Sequence, residues 1–148
     1  MNLLKRKSFD ETKFVNFTPP RLKTAKTEKT ICDSITFTGI GLHSGKEVTM
    51  KLSPAPINTG YVFRIKKKNK IFSINASFEN VKSTQLCTTL GDAHGNTIST
   101  VEHILSALYG LDIDNVFIDL NNNEVPVNDG SSKKFVDEIE KVGIGDQQ

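Results

Sequence analysis

The sequence predicts an α+β domain in which two helices pack on one face of a mostly antiparallel sheet. Three observations carry this. Between residues 30 and 90 short apolar runs are broken by Gly, Pro and Asn, several with apolar residues at every second position, the pattern of strands joined by turns. From residue 99 the period becomes 3.6 over Val101, Ile104, Leu105, Leu108 and Leu111. It returns to a strand over 113–120, then to a helix marked by Phe135, Val136, Ile139 and Val142. Strands followed by helix, strand and helix can close one layered core.

The size fits a single domain of 148 residues, and 36% apolar residues suit a modest core. No apolar run approaches the ~20 residues of a membrane-spanning helix. The first residues form no secretory signal, because Lys5, Arg6, Lys7, Asp10 and Glu11 interrupt them. Cys32 and Cys87 match no zinc or redox spacing and read as small buried residues of a reducing, cytoplasmic compartment. The net charge of +2 hides an asymmetry. Residues 1–30 carry eight Lys/Arg and three Asp/Glu, whereas residues 31–148 carry eleven and fourteen. Three acids argue against a transit peptide.

Taken in order, residues 1–29 read as an irregular basic leader, since Pro19-Pro20 precludes a continuous element, with Phe9, Phe14 and Phe17 able to dock on the body. Residues 30–144 read as the folded domain and 145–148 as a fraying tail. Residues 30–38 alternate as a strand with Ile31, Asp33, Ile35 and Phe37 on one face, and 47–52 pair back across the glycine-rich turn 39–45. That turn leads into a strand and not a helix, which rules against a phosphate loop. The same geometry denies His43 and Glu47 the helical spacing of a metal pair, leaving His43 a loop histidine. Residues 61–65 and 71–74 form a hairpin with a basic tip at 66–70. Residues 75–82 are ambiguous, 84–90 read as a strand, and 92–96 as a turn carrying an exposed His94.

The helix predicted over 99–110 holds the residues of greatest interest. Ser99 and Glu102 have the spacing of a capping box, in which each satisfies an orphan amide of the other. At about 100° per residue, Glu102 and His103 lie roughly 120° and 140° from the centre of the apolar stripe. A carboxylate and an imidazole thus share the first turn, off the packed face, where the helix dipole suits an ionised acid and a neutral, ligating histidine. A single histidine is not a zinc site, which needs about three protein ligands when catalytic. Gly110 stops this helix, and Asp129, Gly130 and Ser131 cap a second one over 132–142.

Five segments resemble motifs of one family. They are Gly39-Ile40-Gly41-Leu42-His43-Ser44-Gly45-Lys46, the run from Leu52 to Gly60 containing Pro54-Ala55-Pro56, Leu86-Cys87-Thr88, the stretch 99–115 with Ser99-Thr100-Val101-Glu102-His103, and Val125-Pro126-Val127-Asn128-Asp129-Gly130-Ser131. The family is the UDP-3-O-acyl-N-acetylglucosamine deacetylases, zinc hydrolases that release acetate at the committed step of lipid A biosynthesis. The resemblance implies that Glu102 is the general base and His103 a zinc ligand. It implies that Leu86, Cys87, Thr88 and His43 lie at the substrate site, His43 near the metal without ligating it. Gln85 stands where the family often has Met.

The family has two similar α+β halves with zinc held between them. The remaining ligands lie in an H-x-x-x-D pattern of the second half, with the general acid and an oxyanion-stabilising Thr. No histidine of this sequence has Asp four residues on: His43 has Glu47, His94 has Ile98 and His103 has Ala107. The resemblance therefore implies an amino-terminal half that ends where the second should begin, with one zinc ligand and no activity alone. The acylated UDP-sugar is the expected substrate, a separate chain carrying the second half the expected partner, and nucleic acid is not expected. Half of a split enzyme and a non-catalytic binding module are the alternatives.

Overall fold

The computed structural model describes residues 27–67 and 70–147. The leader over 1–26, with its docking phenylalanines, and the tip residues 68 and 69 lie outside the described residues. The rest forms three sheets and two helices.

The main sheet has five strands: β2 (Ile35–Ile40), β3 (Glu47–Pro54), β4 (Tyr61–Lys67), β5 (Lys70–Asn75) and β9 (Val116–Leu120), in the order β2-β3-β9-β4-β5. All neighbours are antiparallel except β4 and β9, which run parallel. The predicted hairpins therefore form, and the apolar stretch near 113–120 becomes the central strand. Register explains the patterning. Met50 pairs with Leu120, Leu52 with Ile118, and Phe63 with both Ile118 and Ile74. These side chains all point to one face and are buried. The alternate residues Lys51, Arg64 and Asp119 form a row on the other face.

Helices α1 (Glu102–Gly110) and α2 (Lys133–Val142) cover the apolar face through Ile104, Ala107, Leu108, Phe135 and Ile139, all part of one buried cluster with the sheet. Phe135 meets Phe37 of β2 edge-on, with ring centroids 5.1 Å apart. Full burial of such a ring contributes about 2–3 kcal/mol. The α+β layout with both helices on one sheet face is as the periodicity predicts. No helix of the described residues is long and apolar enough to cross a membrane.

Several boundaries differ from the sequence expectation, each for a tertiary reason. The strand expected over 30–38 is two: β1 (Lys29–Ile31) leaves the main sheet at Cys32 and pairs antiparallel with β10 (Ile144–Asp146). The tail expected to fray from 145 is thus strand-paired, and Gln147 Nε2 donates to the Ala55 carbonyl at 2.7 Å. Residues 84–90 are not one strand. Gln85 and Leu86 bend, Leu86 at φ 64°, and a small sheet forms from β6 (Val81–Ser83), β7 (Thr89–Gly91) and β8 (Thr97–Ser99). A single 3-10 turn over Phe78–Asn80 precedes β6. The cysteines are not the buried pair expected, since Cys32 is exposed and Cys87 half-buried.

Candidate active site

The segment after β9 organises the site. Ser99 donates its amide to the Asn123 carbonyl (2.9 Å) and accepts from the Val125 amide (3.0 Å). A second bridge joins Gly41 to Pro126. Residues 123–126 therefore lie between the glycine-rich turn and the end of β8, which leads into α1. Thr100 takes the left-handed conformation at φ 61°, turning the chain from strand into helix over two residues.

This pairing removes the predicted capping box. Ser99 is committed to strand β8, and its hydroxyl accepts from Thr89 Oγ1 at 3.2 Å. The helix begins at Glu102 after Val101, with no side-chain cap. Glu102 is consequently free of the capping role. Its carboxylate reaches across to the Thr88 amide, 3.2 and 3.4 Å from its two oxygens. The amide of Thr88 thus meets the first turn of α1, where Glu102 and His103 follow one another, and all three residues are half-buried. The His103 carbonyl accepts from Ser132 Oγ at 2.9 Å, which ties the first turn of α1 to the start of α2. Its imidazole makes no hydrogen bond with any described residue. The second helix also lacks a side-chain cap at Ser132, but Ser131 Oγ accepts from the Lys133 amide at 3.1 Å. Asp129 in turn accepts from the Ser131 amide and hydroxyl at 3.0 and 2.9 Å.

Beside this turn lies an open groove of about 460 Å³. His43 and Cys87 line it, as do Ser44, Asn122, Asn123 and Glu124. Leu86, which precedes Cys87 in the chain, is 86% exposed. His43 is exposed on its loop, and among the described residues no three His, Cys, Asp or Glu side chains cluster as a metal site. His94 is exposed in its turn, as expected.

Glu124 is the residue that sequence reasoning missed. It is only 3% exposed, yet it is an acid. Its carboxylate accepts from the His43 amide (2.9 Å), the Ser44 amide (2.8 Å) and the Thr100 hydroxyl (3.0 Å). Burial alone would push its carboxyl up, but the His43 amide, the Ser44 hydroxyl and amide, and the Thr100 hydroxyl outweigh it and hold the group below the ordinary glutamate value. The carboxylate thereby fixes the glycine turn to the segment that starts α1. Gly41 makes room for it: a Cβ there would collide with the Glu124 carboxylate and the Ser44 hydroxyl. The one available signal was a Glu immediately before an apolar Val-Pro-Val run, and nothing local distinguishes it from a surface acid.

Comparison with known proteins gives a consistent picture. A family model described as UDP-3-O-acyl N-acetylglycosamine deacetylase matches residues 28–148. The UDP-3-O-acyl-N-acetylglucosamine deacetylase of Legionella pneumophila (strain Corby) is 53% identical over 111 residues, covering 74% of this chain and 36% of that protein. The corresponding protein of Pseudoalteromonas atlantica is 48% identical over 117 residues, covering 79% and 38%. That of Idiomarina loihiensis is 42% identical over 120 residues, covering 81% and 39%. The chain therefore spans less than two-fifths of the length of these relatives.

Proposed function

The chain belongs to the UDP-3-O-acyl N-acetylglycosamine deacetylase family, and from that premise we propose that it supplies the base-bearing half of a zinc-dependent deacetylase acting on an acylated UDP-N-acetylglucosamine. The observation that carries the reading is the Glu102–His103 pair at the uncapped start of α1, with Glu102 held by the Thr88 amide. Glu102 is the general base. Thr88 donates to the carboxylate at 3.2 Å and leaves its other lone pairs free to take a proton from the water that adds to the amide carbonyl. His103, its imidazole unengaged, is one zinc ligand.

These residues do not by themselves fit a catalytic zinc. One imidazole next to a base falls short of the three protein ligands such an ion takes. The remaining ligands come, on this reading, from a segment of the H-x-x-x-D type on another chain or on further sequence. His43 and Cys87 line the groove and Leu86 precedes Cys87 in the chain, and on this reading all three contact the substrate. The enzyme works in the cytoplasm, where Cys32 and Cys87 remain thiols.

The test is to mix the purified chain with a chain carrying the second half of a relative. Stoichiometric assembly, uptake of one zinc per complex and release of acetate from the acylated UDP-sugar are expected, with neither chain active alone. A stoichiometric complex that holds zinc and releases no acetate would overturn the reading.

A further inference from the structure

Glu124 is a buried carboxylate that the deacetylation step as read above leaves unused. Its neighbours in the chain, Val125 and Pro126, are buried and apolar, and no Lys or Arg among the described residues pairs with it. Replacing a buried ionic group by a well-packed apolar one often leaves stability unchanged or raises it, so such a group is better understood by the conformation it fixes. Its donors show what is fixed here. Oε1 accepts from both the His43 amide (2.9 Å) and the Thr100 hydroxyl (3.0 Å), and Oε2 accepts from the Ser44 amide (2.8 Å). These donors belong to the two segments that carry His43 and the Glu102–His103 pair, and one oxygen joins them.

Neither segment is held by its own packing. The turn over 39–46 contains three glycines, Gly45 at φ 64°, and residues 42–46 are exposed. Glycine leaves such a turn many conformations. The bridge from Gly41 to Pro126 anchors its base, and the Gly45 amide donates to the Gly41 carbonyl at 2.9 Å, closing the turn on itself. The tip is tied to the domain by the His43 and Ser44 amides on Glu124. On the other segment, Thr100 is β-branched, buried and at φ 61°, a conformation that such residues avoid. Its hydroxyl bond to Glu124 offsets the strain of the corner that turns β8 into α1. Both segments reach the groove of about 460 Å³, one through His43 and Ser44 and the other through Ser99.

We propose that Glu124 is a positioning residue of the site: its carboxylate sets the His43 loop and the Thr100 corner relative to one another, so that the substrate contact on one segment keeps a fixed place relative to the base and the metal ligand on the other. The roles of His43, Glu102 and His103 rest on the deacetylase reading, whereas the coupling of the two segments through Glu124 does not.

The experiment has two arms. Thr100→Val keeps the β-branched shape and removes the hydroxyl, and Thr100→Ser keeps the hydroxyl. In ¹H–¹⁵N spectra of the full 148-residue chain, Thr100→Val is expected to move the His43 and Ser44 amide resonances, and Thr100→Ser to leave them near the parent positions. Glu124→Gln sets an amino group against one of its donors and moves the Glu102 and His103 amides together with those of His43 and Ser44. Unmoved resonances of β4 and β5 establish that each variant is folded, and should Glu124→Gln not fold, the Thr100 pair decides. Changes in Thr100→Val confined to residues adjoining 100 overturn the proposal. In the complex with a second-half chain, Thr100→Val lowers kcat/KM about tenfold with KM raised, and Thr100→Ser restores both. A fall in apparent kcat at unchanged KM measures only a loss of folded enzyme and overturns the proposal. A parent complex that releases no acetate defeats the deacetylase reading alone, and the spectra of the single chain then decide the coupling.

Discussion

Glu102 and Glu124 are two carboxylates near the start of one helix, and their surroundings differ in kind. Glu124 is buried and accepts from two amides and a hydroxyl, each within 3.0 Å. Glu102 is half-buried and has one donor, an amide no nearer than 3.2 Å. A carboxylate whose lone pairs are saturated stays ionised and anchors what surrounds it. One with a single long contact keeps lone pairs available for a proton. The first therefore acts as a clamp for the glycine turn, and the second, on the proposed reading, as a base, though both are glutamates within a few residues of Ser99 along the two paired segments. Gly41 and Thr100 belong to the clamp, whereas Glu102 has the Thr88 amide as its donor and His103 as its neighbour in the chain.

The largest effect expected separates the two by activity. In the complex with a second-half chain, Glu102→Gln lowers the rate of acetate release by about 10²–10⁴-fold. Its unfolding free energy, from urea denaturation, changes by no more than about 0.5 kcal/mol, because a single long hydrogen bond is lost from a half-open side chain. Comparable loss of stability would show that Glu102 is a clamp as well.

Next comes stability. Glu124→Ala leaves the His43 and Ser44 amides and the Thr100 hydroxyl without their acceptor, which costs about 3 kcal/mol in urea denaturation. The pH dependence sharpens the same point. The folded-state value of Glu124 is lowered, so the unfolded chain binds more protons in the acid range. Its contribution is fully present above the unfolded-state value and is lost as pH falls through the folded one. Acid unfolding curves of Glu124→Gln are accordingly shallower in that window than those of the parent chain. Equal slopes would remove Glu124 from the account of acid sensitivity.

The smallest effect concerns the absent cap. A capping box through Ser99 would make Ser99→Ala cost about 1 kcal/mol. With its hydroxyl engaged only to Thr89 and its backbone in the strand pairing, Ser99→Ala changes the unfolding free energy by no more than about 0.5 kcal/mol. A larger loss would restore the cap and with it a helix that starts at residue 100.

Particular residues show where reading the chain stops working. Val101, Ile104 and Leu108 repeat with the helical period, and all three are buried. Met50, Leu52, Ile118 and Leu120 follow the strand period, and they face the helices as expected. Ser99 with Glu102 looked equally regular, but the spacing that makes a capping box can also join the last residue of a strand to the first residue of a helix. Tertiary pairing with Asn123 and Val125 decided between them. Cysteine usage alone predicts a buried Cys32, but β1 pairs outside the main sheet and Cys32 after it is exposed.

The sequence by itself determined the α+β class, the strands and helices of the core, the pairing of β2 with β3 and of β4 with β5, and the joint placement of Glu102 and His103. These depend on periodicity and short turns, which are local properties of the chain. Only the tertiary structure decided that the tail pairs with β1, that Ser99 is a strand residue and that Glu124 is a buried anchor. Each of those rests on hydrogen bonds between distant segments, such as Glu124 with His43 across 81 residues. The partners of a backbone amide or a buried carboxylate are set by which segments the fold brings together, and no spacing along the chain encodes them.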